Sequence, residues 1–183
     1  MKILINKLAL IILFLGLTFL NSCDELNNLP LNIPVVVNFS TSGSNTSLSE
    51  NTSFWLSSVQ EWRDNQENIN SASFVSAAYW TLAPTTAGLQ GDINISLSDE
   101  AGNLLFSVDI PNYKAADNIN KPYTLSLDQN EIQAFNDYLS TIGSDGNDHS
   151  FIASLSVTNI TGASTPYTLT GKVEVVLEAD VNL

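Results

Sequence analysis

From Pro34 onward the chain alternates between apolar and polar residues with a period of two, and this constrains the fold more than anything else in it. Val35, Val37 and Phe39 alternate with Val36, Asn38 and Ser40, ahead of a turn-like Thr41-Ser42-Gly43-Ser44-Asn45. A weaker strand is expected from Thr46 to Leu56. Ser71 to Leu82 sets Ala72, Phe74, Ala78, Trp80 and Leu82 on one face, although Val75 and Tyr79 make the other face partly apolar. Ile93, Ile95 and Leu97 then alternate with Asn94, Ser96 and Ser98. After Asp99-Glu100-Ala101-Gly102-Asn103 come Leu104, Phe106, Val108 and Ile110, so these two runs read as a hairpin about a short glycine-containing loop. Tyr123, Leu125 and Leu127 make a short strand, and Phe151, Ala153, Leu155 and Val157 another. The longest runs from Tyr167 to Val181, with Tyr167, Leu169, Val173, Val175, Leu177, Ala179 and Val181 inward.

The period changes once. Ile132, Phe135, Leu139 and Ile142 recur at helical spacing, so a helix is expected from Gln129 to Ile142. Asp128 and Glu131 are placed as a capping box, and Gly143 can end the helix. Ser58 and Glu61 repeat that signature before a shorter helix carrying Val59 and Trp62. Strands with one polar face and no parallel crossover rhythm imply antiparallel sheets with one side in water. The fold class expected is all-β, a two-layer antiparallel β-sandwich of about eight strands, Ig-like or jelly-roll-like, with one or two short helices. An eight-strand barrel is the alternative.

Ahead of this domain, Lys2 and Lys7 flank a positive start, Leu8 to Leu20 is an unbroken apolar run of 13 residues, and Leu20-Asn21-Ser22-Cys23 closes it. As a helix that run would reach roughly 20 Å against a hydrocarbon core of about 30 Å, too short to span. It fits a signal-peptide core instead. The closing tetrapeptide resembles the lipobox of bacterial lipoproteins, with Leu20 at −3 and Ser22 at −1, while Asn21 departs from the usual small or aliphatic residue. The resemblance covers Met1 to Asp24 and implies cleavage between Ser22 and Cys23, with lipid on Cys23, the only cysteine. One acyl chain holds a protein only marginally at about 0.8 kcal/mol per buried methylene, so the two or three chains of a lipoprotein attach it durably. Asp24 and Glu25 resemble an inner-membrane retention signal in one bacterial group and a surface-export signal in the Bacteroidota. The Asn-, Ser- and Thr-rich, arginine-poor style is closer to the latter. The expected organisation is residues 1–22 signal peptide, 23–33 lipidated cysteine and tether with Pro30 inside it, and 34–183 one domain.

The chain carries 19 Asp and Glu against 6 Lys and Arg, a formal charge of −13. Such a body has no electrostatic reason to hold nucleic acid. The single histidine, His149, cannot build a zinc site without further ligands and is expected to be a solvated turn residue. The sequence contains no GxSxG, GxGxxG or GxxxxGK[ST] motif. Asp145, Asn147 and Asp148 are the oxygen ligands calcium would use, as are Asp99, Glu100 and Asn103. Neither group has EF-hand spacing, and tight turns call for the same residues. No metal and no cofactor is therefore expected.

Trp55, Trp62 and Tyr113 are candidate ligand-contacting aromatics, set against a plainer reading of the tryptophans as core. Asn45-Thr46-Ser47, Asn51-Thr52-Ser53, Asn94-Ile95-Ser96 and Asn159-Ile160-Thr161 match the glycosylation sequon and read as Asn, Ser and Thr richness. The function expected is that of a lipid-anchored cell-envelope lipoprotein, placed at the outer membrane. It would be a non-enzymatic binding or assembly module whose partner is an envelope protein or a glycan. The alternatives are a carbohydrate-binding module of a surface uptake system and a hydrolase using paired carboxylates.

Overall fold

The computed structural model describes residues 28–141, 148–162 and 164–182. Among these, eight strands form two antiparallel sheets of four: β1 (Asn28–Gly43), β8 (Tyr167–Asn182), β3 (Ile69–Leu82) and β6 (Pro122–Leu125) in the first, and β2 (Leu48–Trp55), β7 (Ser150–Thr161), β4 (Gln90–Asp99) and β5 (Leu104–Lys114) in the second. The sandwich expected from the alternation is the one found. Strand β8 lies inside the first sheet between β1 and β3, and every residue assigned to its inner face is buried. The hairpin of β4 and β5 closes where expected, with Gly102 at φ 84° and its N–H donating to Asp99 O.

Strand β1 begins at Asn28, which pairs with Asn182, so the expected tether at 28–33 is instead sheet. Pro30 and Pro34 do not prevent this because β1 is an edge strand and both share the parity of Ser40. The Ser40 N–H points away from β8 and donates to Glu50 Oε2 at 2.7 Å. A proline nitrogen on that side removes a donor that no strand needed, and it blunts the edge against unwanted pairing.

Two inner faces differ from a strict alternation. In β3, Phe74 pairs with Leu177 but Ser76 with Val176, so one extra residue, Val75, bulges out half-exposed. Beyond it the parity flips: Ala77, Tyr79 and Thr81 are buried, where Ala78, Trp80 and Leu82 were expected. In β5 the step from Phe106 to Leu104 answers a single step on β4, and Leu104 turns out to solvent while Leu105 takes the core place.

Three short α-helices, α1 (Gln60–Asn65), α2 (Ala115–Asn118) and α3 (Gln129–Leu139), with 3-10 turns at Leu56–Ser58 and Gln66–Asn68, complete the described fold. Helix α3 begins with the capping box, Asp128 accepting from Asn130 and Glu131 while Glu131 accepts from the Asp128 N–H. Glu131 also takes the Ser107 N–H of the β5 edge, and Asn136 takes the Phe74 N–H beside the β3 bulge. Between these two ties Phe135 sits among Phe74, Phe106 and Phe151 at 5.4, 6.3 and 5.7 Å, so α3 plugs the open flank of the sandwich. Helix α3 ends at Leu139 with Ser140 as its C-cap, short of the expected Ile142; Ile142 and Gly143 themselves lie outside the described residues. Helix α1 buries Trp62, but its N-cap is Val59 with no side-chain cap; Ser58 Oγ donates to Trp55 O instead.

Candidate functional site

The outer face of the second sheet is built from short polar side chains. Across its four strands the register aligns Ser49, Ser156, Asn94 and Asp109 in one row and Asn51, Ser154, Ser96 and Ser107 in the next. At one end of this face the sheet departs from regular pairing on both sides of β4. Between Gly91 and Ile93 the partner β5 advances three residues, from Tyr113 to Ile110. Between Gln90 and Asp92 the partner β7 also advances three, from Thr161 to Thr158. Each flanking strand thus carries an extra residue, and each contains an asparagine in the left-handed region, Asn112 at φ 53° and Asn159 at φ 54°. Asparagine tolerates that conformation better than other side chains do.

Asp92 holds the paired bulges together. Its Oδ1 accepts the Asn112 backbone N–H at 2.8 Å, and its Oδ2 accepts the Asn159 amide at 2.7 Å. The Asn112 N–H first, and the Asn159 amide second, hold its carboxyl below the usual carboxylate range. Gly91 allows β7 to come this close, because a Cβ there would lie 2.6 Å from Thr158 O. Two residues further along β4, Asn94 Nδ2 donates to Ser107 Oγ at 2.9 Å and to Asp109 Oδ1 at 2.8 Å.

Two depressions meet at Asp92. One, about 320 Å³, is lined by Asp92, Asn94, Asp109, Pro111, Ser156 and Thr158, along with the core residues Ile93 and Ile110. The other, about 370 Å³, is lined by Gln90, Gly91, Asp92, Asn112, Lys114, Asn159 and Thr161. Together they make a shallow trough of carboxylates, amides and hydroxyls whose key side chains are already held by their neighbours. Asp92 and Asp109 are the carboxylate pair of this trough. A general acid must hold a proton at the working pH, and the donors on Asp92 favour its ionised form. The arrangement offers a ligand both acceptors and donors of hydrogen bonds.

The residues singled out from the sequence do not converge. Trp55 is half-exposed at the end of β2, as a contact residue should be, but Trp62 and Tyr113 are both 4% exposed and belong to the core. Tyr113 is turned inward by the bulge beside Asn112. Its hydroxyl meets Thr81 Oγ1 at 2.6 Å, its ring meets Tyr79 and Tyr123 edge-on, and burial raises its pKa. Asp145 and Asn147 lie outside the described residues, as do Cys23 and the cleavage position. The carboxylate of Asp148 accepts from both Ser57 N and Ser57 Oγ, tying its loop to the end of β2. Among the described residues no group of three or more His, Cys, Asp or Glu side chains could hold a metal ion.

His149 is not the solvated residue expected. It is buried against the Tyr138 ring at 4.8 Å, its carbonyl accepts the Leu56 N–H, and its Nε2 lies 2.6 Å from Thr141 Oγ1. Thr141 Oγ1 also donates to Tyr138 O. Tyr138 donates to Ser150 O, and burial, with the nearby Glu100 and Asp99 charges, pushes its pKa up to about 12. These contacts pack one end of the sandwich.

The trough residues were visible in the sequence only as sequons and strand-turn residues. Asn94 and Asn159 each belong to an Asn-Xaa-Ser/Thr triplet, yet both amide nitrogens donate to carboxylates. The signal available for the site was the break in alternation at Gly91 and at Pro111-Asn112, which marks where a strand bulges.

No protein family matches the sequence, and no curated protein does. Among solved structures, that of Desmodium yellow mottle tymovirus is similar at 10% identity and a TM-score of 0.33, over 85% of this chain and 89% of that one. A structure of the infectious bursal disease virus Gx strain is similar at 11% identity and a TM-score of 0.36. There 85% of this chain covers 33% of the other. The semi-empty virus-like particle of Macrobrachium rosenbergii nodavirus is similar at 10% identity and a TM-score of 0.34, over 84% and 96%. Likeness at this level carries no argument about function.

Proposed function

We propose that this protein is a lipid-anchored component of a bacterial cell envelope whose β-sandwich works as a non-enzymatic binding or assembly module. The observation that carries the binding part is the trough at Asp92, a pre-fixed set of hydrogen-bonding groups on an exposed sheet face. The lipid part is supported by the positive start, the short apolar run and the Leu20-Asn21-Ser22-Cys23 ending. Lipid on Cys23 would hold the sandwich at the membrane surface with both outer sheet faces open to a partner.

The test is fractionation of cells expressing the wild type or Cys23→Ala, followed by protease treatment of intact cells. The wild type should sediment with membranes as a lipid-modified species, and the variant should not. Digestion of the domain while a periplasmic control survives places it on the cell surface. A wild-type protein that is not membrane-bound, or one whose attachment ignores Cys23, would defeat the proposal.

A further inference from the structure

We infer that the trough at Asp92 is a saccharide-binding site, reading hydroxyl pairs through planar amide and carboxylate groups; this rests on the binding-module reading above. Its two depressions, about 320 and 370 Å³, share Asp92 in their lining. Their chemistry is directional. Asp92 and Asp109 present acceptors, and Asn94, with its amide donating to Ser107 and Asp109, has its carbonyl oxygen left for a ligand. Ser156, Thr158 and Thr161 can donate or accept, Gln90 and Asn112 bring further amides, and Lys114 adds a cationic donor at one end. A polyol carries adjacent groups that each donate and accept, and this mixture answers both.

Asp92, Asn94, Asp109 and Asn159 are held by one another or by the backbone before any ligand arrives, so these four lose little conformational entropy on binding. A folded protein partner fits the same surface poorly. Protein interfaces centre on aromatic and other large anchors, and the exposed large apolar residues, Leu29, Val36, Trp55, Val75, Leu104 and Tyr123, all lie off the trough. A cation also fits less well than a polyol. Only two carboxylates line the trough, the rest of its polar lining is amide and hydroxyl, and Lys114 places a positive charge at one end.

The experiment is a titration of the full-length, isotope-labelled protein in detergent micelles with soluble hexasaccharides of glucose, mannose, xylose, galactose and N-acetylglucosamine, read by amide chemical shifts. At least one should produce saturable shifts centred on Asp92, Asn94, Asp109, Ser156 and Asn159. Asp109→Ala and Ser156→Trp should each weaken that binding about tenfold or more without moving the melting temperature, the first by removing a charged acceptor and the second by filling the trough. Silence towards all five sugars overturns the inference. Shifts gathered around Trp55 overturn this site while leaving a binding module in place, and calcium chloride alone moving the same amides would reassign the trough to a cation. Attachment that ignores Cys23, by contrast, strikes only at the reading beneath.

Discussion

Strands β8 and β3 are hydrogen-bonded neighbours in the same sheet, yet a period-two pattern describes one from end to end and fails halfway along the other. Strand β8 runs straight from Tyr167 to Asn182 with its odd-numbered residues inward throughout. Strand β3 starts its alternation on Ala72 and Phe74, inserts Val75, and continues on Ala77, Tyr79 and Thr81. The difference comes from what lies on either side. Strand β8 is paired along its whole length by β1 and β3. The first half of β3 has α3 beside it rather than a strand, and Asn136 takes up the Phe74 N–H at the irregularity. A bulge is tolerated where a side chain can satisfy the displaced backbone.

The largest effect should come from Val175→Asp at the centre of β8, paired with Val35 and Ala77 and 2% exposed. An unpaired charge there costs several kcal/mol against a total stability of about 5–15 kcal/mol, so the domain should not fold. A cooperative melting curve close to wild type would break the register of β8 itself. The next test is paired. Ala77 is 2% exposed while Ala78 faces outward, so Ala77→Asp should cost about 3–5 kcal/mol and Ala78→Asp under about 1 kcal/mol in urea unfolding. The opposite order would erase the bulge at Val75 and return β3 to strict alternation.

Gly171→Ala sharpens the contact between the two strands. A Cβ at Gly171 would meet the Tyr79 hydroxyl at 2.7 Å and Trp80 O at 2.9 Å. Among the described residues the buried Tyr79 hydroxyl has no partner of hydrogen-bonding geometry, and burial raises its pKa. Overpacking this spot should cost about 1–3 kcal/mol in urea unfolding, and a neutral substitution would mean that the post-bulge residues sit elsewhere.

The smallest effect extends the comparison to β4, where bulges on both neighbours meet at Asp92. The folded pKa of Asp92 is depressed below its ordinary 3.8, so the stability it contributes is present above that value. It is lost as pH falls through the lower folded value. Asp92→Asn should therefore lose a little stability at neutral pH and flatten the acid limb of the stability profile. Carboxyl NMR giving Asp92 an unshifted midpoint would show that the two asparagines do not hold it.

Most of the sandwich was legible in the chain because burial on one side of a strand writes itself into alternate residues. Val173, Val175 and Leu177 on β8, Ile93, Ile95 and Leu97 on β4, and the Asp128–Glu131 box of α3 are local patterns with a local cause. The burial of Trp62 and Tyr113, the inward turn of His149 and the strand at 28–33 were not legible in this way. Strand 28–33 needs β8 as its partner and Tyr113 is turned in by a bulge toward Thr81, while His149 is buried by helix residues Tyr138 and Thr141 that no strand or helix period places against it. The trough was hidden for the same reason. Asp92, Asp109, Asn112 and Asn159 come from three strands, and nothing in their sequence spacing brings them together.

By itself, then, the sequence determined the all-β class, the inner faces of the regular strands and the place of the main helix. Tertiary structure alone decided which way β3 faces after Val75, which aromatics reach solvent, and that one carboxylate holds two bulges. Alternation is a one-dimensional consequence of a strand having a wet and a dry side. A bulge shifts that pattern by one residue, and where it does so depends on which neighbouring strand or helix is there to take up the displaced backbone groups.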